Sequence, residues 1–349
     1  MKTYWSERAK RITPYVAGEQ PKMQNIIKLN TNENPFPPSP KAIDVIKQFD
    51  CDRLRLYPNP ASQVLRSAAA RRHGVAEENI FCGNGSDEVL AIAFQAFFDG
   101  GLAVADVSYS FYPVWADMYG ISTEVIPLSE DYTVPVDKFC GKKCAVIPNP
   151  NAPTAIALSP EEIEQIVASA EGVVVIDEAY VEFGAQSVIP LTQKYSNLLV
   201  VRTFSKSHGL AGMRVGYAVG HKDLITAMDC IRDSFNSYPL DAIAQEAAAA
   251  ALADEAYTAG VLKEIMTTRA FTAAELEKRG FAVLPSSANF VFAKPAGMEA
   301  QKVQAALKER GIFVRWFSGA RVRDYLRITI GRRDQMEQLL SALDEILAK

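Results

Sequence analysis

Short apolar runs alternate with longer stretches of helical periodicity through the first two thirds of the chain. The runs are "GLAVADV" (101–107), "KCAVIPNP" (143–150), "GVVVIDEAY" (172–180), "NLLVVRTFS" (197–205) and "RVGYAVG" (214–220). Such continuous apolar runs predict strands covered on both faces rather than strands with one wet side. Between them lie segments such as "SPEEIEQIVASA", in which Ser159 caps, Pro160 occupies the first turn and Glu162 completes a capping box. Strand, helix, strand is a crossover unit, and repeated crossovers imply a mainly parallel sheet with helices on both sides.

After about residue 240 the texture changes. "LDAIAQEAAAAALADEAYTAGVLKEIMTTRAFTAAELEKRG" predicts long Ala-rich helices, followed by strand-like "FAVLPSSANFVFA" and helix-like "EAQKVQAALKERG". Two short strands, "IFVRWF" and "DYLRITIG", and an amphipathic helix "RDQMEQLLSALDEILAK" complete a smaller α+β unit. The expected division is an N-terminal arm over 1–30, an α/β body over 31–245 and the α+β domain over 246–349. The first 20 or so residues of the body, roughly, are expected to pack with the small domain. The Pro- and Asn-rich "PYVAGEQPKMQNIIKLNTNENPFPPSP" reads as extended chain.

Composition narrows the function. The 349 residues are 48% hydrophobic and 22% charged, the balance of a soluble globular protein with a large core. A net charge of −4 gives no global positive field for nucleic acid or anionic lipid, so any anionic ligand must be held by local groups. The opening "MKTYWSERAK" lacks the apolar core of a signal peptide, and no run approaches a membrane span; the expected compartment is the cytoplasm. Five scattered cysteines suggest free thiols. Cys140 and Cys144 flank "GKK", but with only three histidines in the chain no zinc site is expected.

In open parallel sheets, ligands collect at the carboxyl ends of the strands. There the runs deliver Asp177 and Tyr180, Thr203, Ser205 and Lys206, and Asn149 and Asn151, while "NIFCGNG" leads into a helix with Ser86 and Asp87 at its start. Singly, a strand-end Asp caps a helix and a strand-end Lys reaches water. Together they match the needs of a phosphorylated pyridine aldehyde. The aldehyde requires a lysine amine of lowered pKa, met by Lys206, and the ring nitrogen requires a carboxylate, met by Asp177. The phenolic oxygen requires donors, available from Tyr180 and an Asn of "PNPNAPT". The phosphate requires backbone N–H groups at a helix start, hydroxyls and a cation, offered by "GNGSD", Thr203, Ser205 and Arg214. Tyr109 of "SYSFY" can lie against the ring face. A dinucleotide reading of "CGNGSDE" fails, because Glu88 stands where the third glycine belongs.

"LNTNENPF", "YPNP", "GNGSDE", "PNPNAPT", "VIDEAYVEF", "TFSKSHGLAGMRVGY" and "YLRITIG" occur in this order. Together they resemble the histidinol-phosphate aminotransferases, a branch of the fold-type-I pyridoxal-phosphate enzymes, from about Tyr15 to Arg332. The resemblance implies a mainly parallel seven-stranded sheet with a smaller α+β domain, the cofactor pyridoxal 5′-phosphate, and a homodimer with shared sites. It implies that Lys206 links covalently to the cofactor and moves the substrate proton, that Asp177 pairs with the ring nitrogen, and that Tyr180 bonds the phenolic oxygen. Ser86, Asp87, Thr203, Ser205 and Arg214 are implied to hold the phosphate, Tyr109 to stack on the ring, and Tyr57 to reach the neighbouring subunit's cofactor. Where the family has "PTG" this chain has "PTA", and Ala152 stands where an Asn often precedes that Pro; Asn151 is the candidate for the ring-oxygen contact, and which Asn makes it stays open.

Strand alternation in "YLRITIG" sets Arg327 on the face opposite Leu326, Ile328 and Ile330. By resemblance Arg327 binds the carboxylate of glutamate and the phosphate of histidinol phosphate, with Tyr15 and Arg315 in the same pocket. The implied reaction is ping-pong exchange of an amino group between histidinol phosphate and 2-oxoglutarate. Aromatic aminotransferases and threonine-phosphate decarboxylases share most of these motifs and stay open as alternatives, as does a non-catalytic regulatory protein on the same fold.

Overall fold

Residues 4–15, 18–21 and 26–348 are described by a computed structural model of the chain. Among them the apolar runs form strands that build two sheets. In chain order the strands are β1 (Ile27–Leu29), β2 (Ile80–Gly83), β3 (Leu102–Ala105), β4 (Thr123–Ile126), β5 (Cys144–Pro148) and β6 (Val174–Asp177). There follow β7 (Leu198–Thr203), β8 (Gly216–Gly220), β9 (Ala282–Val283), β10 (Phe290–Lys294), β11 (Ile312–Trp316) and β12 (Leu326–Thr329).

The larger sheet has the order β2-β8-β7-β6-β5-β3-β4. Only β8 runs against its neighbours; the remaining pairs are parallel. Consecutive residues enter different cores, as the period of two requires: Val174 and Ile176 join one side with Leu198 and Val200, while Val175, Leu199 and Val201 join the other. The helix Pro160–Ser169 has its expected capping box, Ser159 Oγ accepting from the Glu162 N–H at 3.2 Å and Glu162 Oε2 from the Ser159 N–H at 2.7 Å.

The smaller sheet has the order β1-β11-β12-β10-β9. One face, with Val291, Ala293, Val314, Leu326 and Ile328, packs on the helices Glu255–Lys278, Ala300–Glu309 and Arg333–Leu347. The alternate positions Phe292, Arg315 and Arg327 form the other face, where Arg327 is the register partner of both Phe292 and Arg315.

Two segments depart from the expected division. Ile27–Leu29, read as part of an extended arm, is a strand paired in parallel with β11. Residue 245 lies inside the helix Ala242–Leu252, whose Ala244, Ala248, Ala251 and Leu252 pack in the larger sheet's core. The two cores therefore separate after Leu252 rather than at 245/246, because this helix turns its alanines toward the large sheet.

Candidate active site

The carboxyl ends of β5, β6 and β7 open into a cavity of about 220 Å³ lined by Pro148, Asp177, Thr203, Ser205 and Lys206. Ser86, Asp87, Tyr109, Tyr180 and Arg214 line it from the large unit, and Tyr15, Arg315 and Arg327 also face it.

Lys206 Nζ donates to the Thr31 carbonyl at 3.2 Å and lies 5.8 Å from the Tyr180 ring centre. Burial, with help from the Arg327 and Arg214 charges, brings its amine down to about 8. Its backbone is held by Asn34, whose Nδ2 donates to the Lys206 carbonyl at 2.9 Å. Asp177, 5% exposed, accepts from the Tyr112 hydroxyl at 3.0 Å and from the Ala179 N–H at 3.1 Å. Burial pushes its carboxyl up to about 6, against those two donors. A buried carboxylate held by two neutral donors and facing a cavity is suited to a cationic ring nitrogen.

At the other end of the lining, the helix Gly85–Phe97 begins without a side-chain cap. Its first-turn N–H groups are free for an anion, the arrangement a phosphate needs. Arg214 Nη2 reaches Asp87 Oδ2 at 3.1 Å and its Nη1 reaches Ser205 Oγ at 3.3 Å. Glycines make this crowding possible: a Cβ on Gly85 would stand 2.6 Å from Arg214 Nη2, and one on Gly216 2.5 Å from the Ser86 nitrogen. Tyr109 donates its hydroxyl to Asp87 Oδ1 at 2.8 Å, which fixes the ring at the wall of the cavity.

The Tyr180 hydroxyl accepts from Asn32 Nδ2 at 2.9 Å; burial raises this phenol, while Arg327 and Asn32 pull it back. Arg327 Nη2 donates to the Asn30 carbonyl at 3.1 Å, and its Nε is buried without a partner. An unpartnered guanidinium N–H facing a cavity is a position for an anion. Burial, then the charge of Arg315, lowers its pKa. Tyr15 stacks on Phe111 at 4.2 Å.

Asn151 is placed elsewhere. Its Nδ2 donates to the Val107 carbonyl and to Thr154 Oγ1, each at 3.0 Å, and Ala152 takes its place in the cavity lining. The side chain that meets Tyr180 is Asn32, outside the strand-end residues singled out above. Its φ of 56° and bonds with Thr329 fix it: the Asn32 N–H donates to Thr329 Oγ1, which donates to Asn32 Oδ1, both at 3.0 Å. Glu33 also lines the cavity. Burial alone would raise its carboxyl, but hydrogen bonds from Lys28 and Thr31 hold it below the ordinary range. Behind Lys206, Arg202 is buried between Glu178 at 3.1 Å and Glu182 at 2.9 Å, tying the Tyr180 segment to the lysine segment. Tyr57 is 82% exposed and stacks on Tyr238 at 4.6 Å, away from this cavity.

The family model described as aminotransferase class I and II matches residues 24–343. A histidinol-phosphate aminotransferase of Gluconacetobacter diazotrophicus is 51% identical over 354 residues, covering 100% of this chain and 99% of that protein. The chain belongs to the histidinol-phosphate aminotransferase family. Another member, histidinol-phosphate aminotransferase 1 of Bordetella parapertussis, is 50% identical with 100% of both chains covered. Among solved structures, the histidinol-phosphate aminotransferase of Sinorhizobium meliloti in complex with pyridoxal-5′-phosphate matches with a TM-score of 0.89 at 26% identity, covering 100% of this chain and 98% of that one. L-threonine-O-3-phosphate decarboxylase from Porphyromonas gingivalis matches less closely, with a TM-score of 0.80 at 25% identity over 93% of this chain and 100% of that one. The family's fold is thus the two-sheet architecture seen here. Among the described residues no His, Cys, Asp and Glu cluster could hold a metal ion, and no helix is long and apolar enough to cross a membrane.

Proposed function

We propose that this chain exchanges the amino group of L-histidinol phosphate with 2-oxoglutarate, giving imidazole-acetol phosphate and L-glutamate, with pyridoxal 5′-phosphate as cofactor. The observation that carries the reading is a single cavity lined by Lys206 with a lowered amine, Asp177 with two neutral donors, and the paired Arg315 and Arg327. When bound, the cofactor supplies an aldehyde that carries the transferred amino group and an electron-withdrawing ring.

The chain's own groups do the rest. The first-turn N–H groups at Ser86 and Asp87, the hydroxyls of Thr203 and Ser205, and the Arg214 guanidinium hold the phosphate. Asp177 keeps the ring nitrogen protonated, and the cation opposite restores its ionised form despite burial. Tyr109 covers the ring face, and Tyr180, oriented by Asn32, donates to the phenolic oxygen. Lys206 Nζ would take the proton from the donor's α-carbon and deliver it to the cofactor's aldehyde carbon, a transfer suited to an amine that titrates near 8. Arg327 pairs with the donor's phosphate and then with the acceptor's carboxylate, since its planar fork fits either anion.

We also read the active form as a homodimer. Leu54, Leu56, Tyr57, Phe235 and Tyr238 are exposed large hydrophobics, and the Tyr57 and Tyr238 rings stack on each other. A second copy would cover them and bring Tyr57 to the neighbouring cofactor phosphate. The cytoplasm would keep the five free cysteines reduced.

Incubating the purified, cofactor-loaded protein with histidinol phosphate and 2-oxoglutarate tests the reading. Glutamate and a keto product in equal amounts are expected. Carbon dioxide release would indicate a decarboxylase, faster turnover of phenylalanine an aromatic aminotransferase, and no product from any donor a non-catalytic protein.

A further inference from the structure

Arg321 lies in the loop between β11 and β12, and every hydrogen bond its guanidinium makes among the described residues goes to loops of the larger sheet. Nη1 stands 2.8 Å from Asp106 Oδ2 and 3.0 Å from the Leu128 carbonyl, and Nη2 stands 2.9 Å from the Ser129 carbonyl. The guanidinium lies 5.4 Å over the Tyr132 ring, and the Tyr132 hydroxyl donates back to the Arg321 carbonyl at 2.7 Å. Tyr132 has a φ of 67°, a left-handed conformation that a bulky residue adopts only where its surroundings impose it.

The contact continues toward the site. Tyr132 meets Tyr325 edge-on at 5.4 Å, Tyr325 stacks on Phe292 at 4.6 Å, and Phe292 is the register partner of Arg327. On the large-unit side, Asp106 follows β3 directly and shares its loop with Tyr109. Beside the ion pair a crevice of about 400 Å³ separates Asp106, Ser108 and Ser110 from Phe317, Ser318 and Val322. The polar clamp thus stands at the edge of this crevice, with Tyr132 and Val322 packed against the larger sheet's core.

We propose that Arg321 is a positioning residue whose clamp on Asp106, Leu128 and Ser129 sets where Arg315 and Arg327 stand relative to the Tyr109 wall, and thereby the affinity for anionic substrates. The inference rests on the reading of Arg327 as the anion-binding group. Removing the clamp frees the loop that joins β11 to β12, at whose two ends Arg315 and Arg327 stand, while Lys206, Asp177 and the phosphate cradle remain in place on the other sheet.

The test compares steady-state kinetics and amide hydrogen exchange of holoenzyme variants. Arg321→Ala and Asp106→Ala should each raise KM for both histidinol phosphate and 2-oxoglutarate by about tenfold, with kcat changed by less than about twofold. The double variant should be no worse than Asp106→Ala, whose carboxylate also accepts from the Leu128 N–H, and exchange in Arg321→Ala should quicken over 317–325 rather than throughout the chain. Arg321→Lys, which keeps the charge, should recover part of the affinity. An unchanged KM in Arg321→Ala would overturn the proposal, as would equal losses in kcat with exchange quickened throughout the chain. Arg327→Ala run in parallel keeps the two readings apart. A normal KM there beside a raised KM in Arg321→Ala faults the anion assignment, whereas the reverse pattern removes the clamp.

Discussion

Replacing Asp177 with Asn should stabilise the cofactor-free protein and cripple the loaded one. The carboxylate is buried, and with only a phenol and one backbone N–H as donors its pKa rises from the ordinary 3.8 to about 6. A folded-state value above the unfolded one means that ionisation works against folding. The cost is absent below about pH 4, grows up to about pH 6 and is constant above, where about two pKa units correspond to roughly 3 kcal/mol. Asn keeps the shape, accepts from the Ala179 N–H and meets the Tyr112 hydroxyl without a charge. In thermal melts near pH 7.5 the cofactor-free Asp177→Asn protein should therefore melt higher than the parent by roughly 4 °C, and the advantage should vanish near pH 4. With saturating pyridoxal 5′-phosphate the order should reverse, because the variant lacks the charge that holds the ring nitrogen, and its affinity should fall by about 100-fold. A cofactor-free variant that melts lower than the parent at pH 7.5, or one that binds the cofactor as tightly, would refute the reasoning.

Lys206→Ala should abolish turnover and the absorbance band of the lysine-bound cofactor while leaving the fold intact by circular dichroism. The rate at which the cofactor-free protein takes up its cofactor should rise with pH to a plateau above about 8, since the lowered amine is the reactive form only when deprotonated. Arg327→Gln removes the largest neighbouring charge acting on that amine, so the midpoint of the same profile should move to higher pH. The same variant should raise KM for histidinol phosphate by about 30-fold with a smaller change in kcat, because it removes a charge-assisted hydrogen bond to an anion. Ser159→Ala, far from the site, should lower stability by about 1 kcal/mol without touching KM, which serves as a control for purely structural loss.

Strands that are buried on both faces leave an unmistakable trace, which is why β3, β5, β6, β7 and β8 were legible as apolar runs. β4 was not: three of its four residues are exposed at the sheet edge, so "TEVI" carries no such run. β1 offers only three residues, and its partner β11 lies far along the chain, so its pairing is a tertiary fact that local pattern does not encode. Asp177, Thr203, Ser205 and Lys206 meet in one cavity because a parallel sheet places those strand ends together, whereas Asn149 bonds to Leu158 outside it. Asn32 and Tyr112 escaped notice for different reasons. Asn32 works through a left-handed backbone fixed by Thr329, and Tyr112 reads as a core aromatic until its hydroxyl is found on Asp177. For Asn151, "PNPNAPT" shows which amides are near the strand end but not that this one donates inward to Val107 and Thr154. A clue to Asn32 was available in "TNEN", where closely spaced asparagines suggest side chains that bond to backbone and tolerate left-handed conformations.

The account stands or falls on which amine holds the cofactor. Borohydride reduction of the loaded protein, followed by proteolysis and peptide mass mapping, should place the reduced cofactor's mass on the peptide that contains Lys206, and exposure to histidinol phosphate before reduction should release it. A label on another lysine, or a Lys206 peptide of unmodified mass in a fully loaded protein, would contradict it.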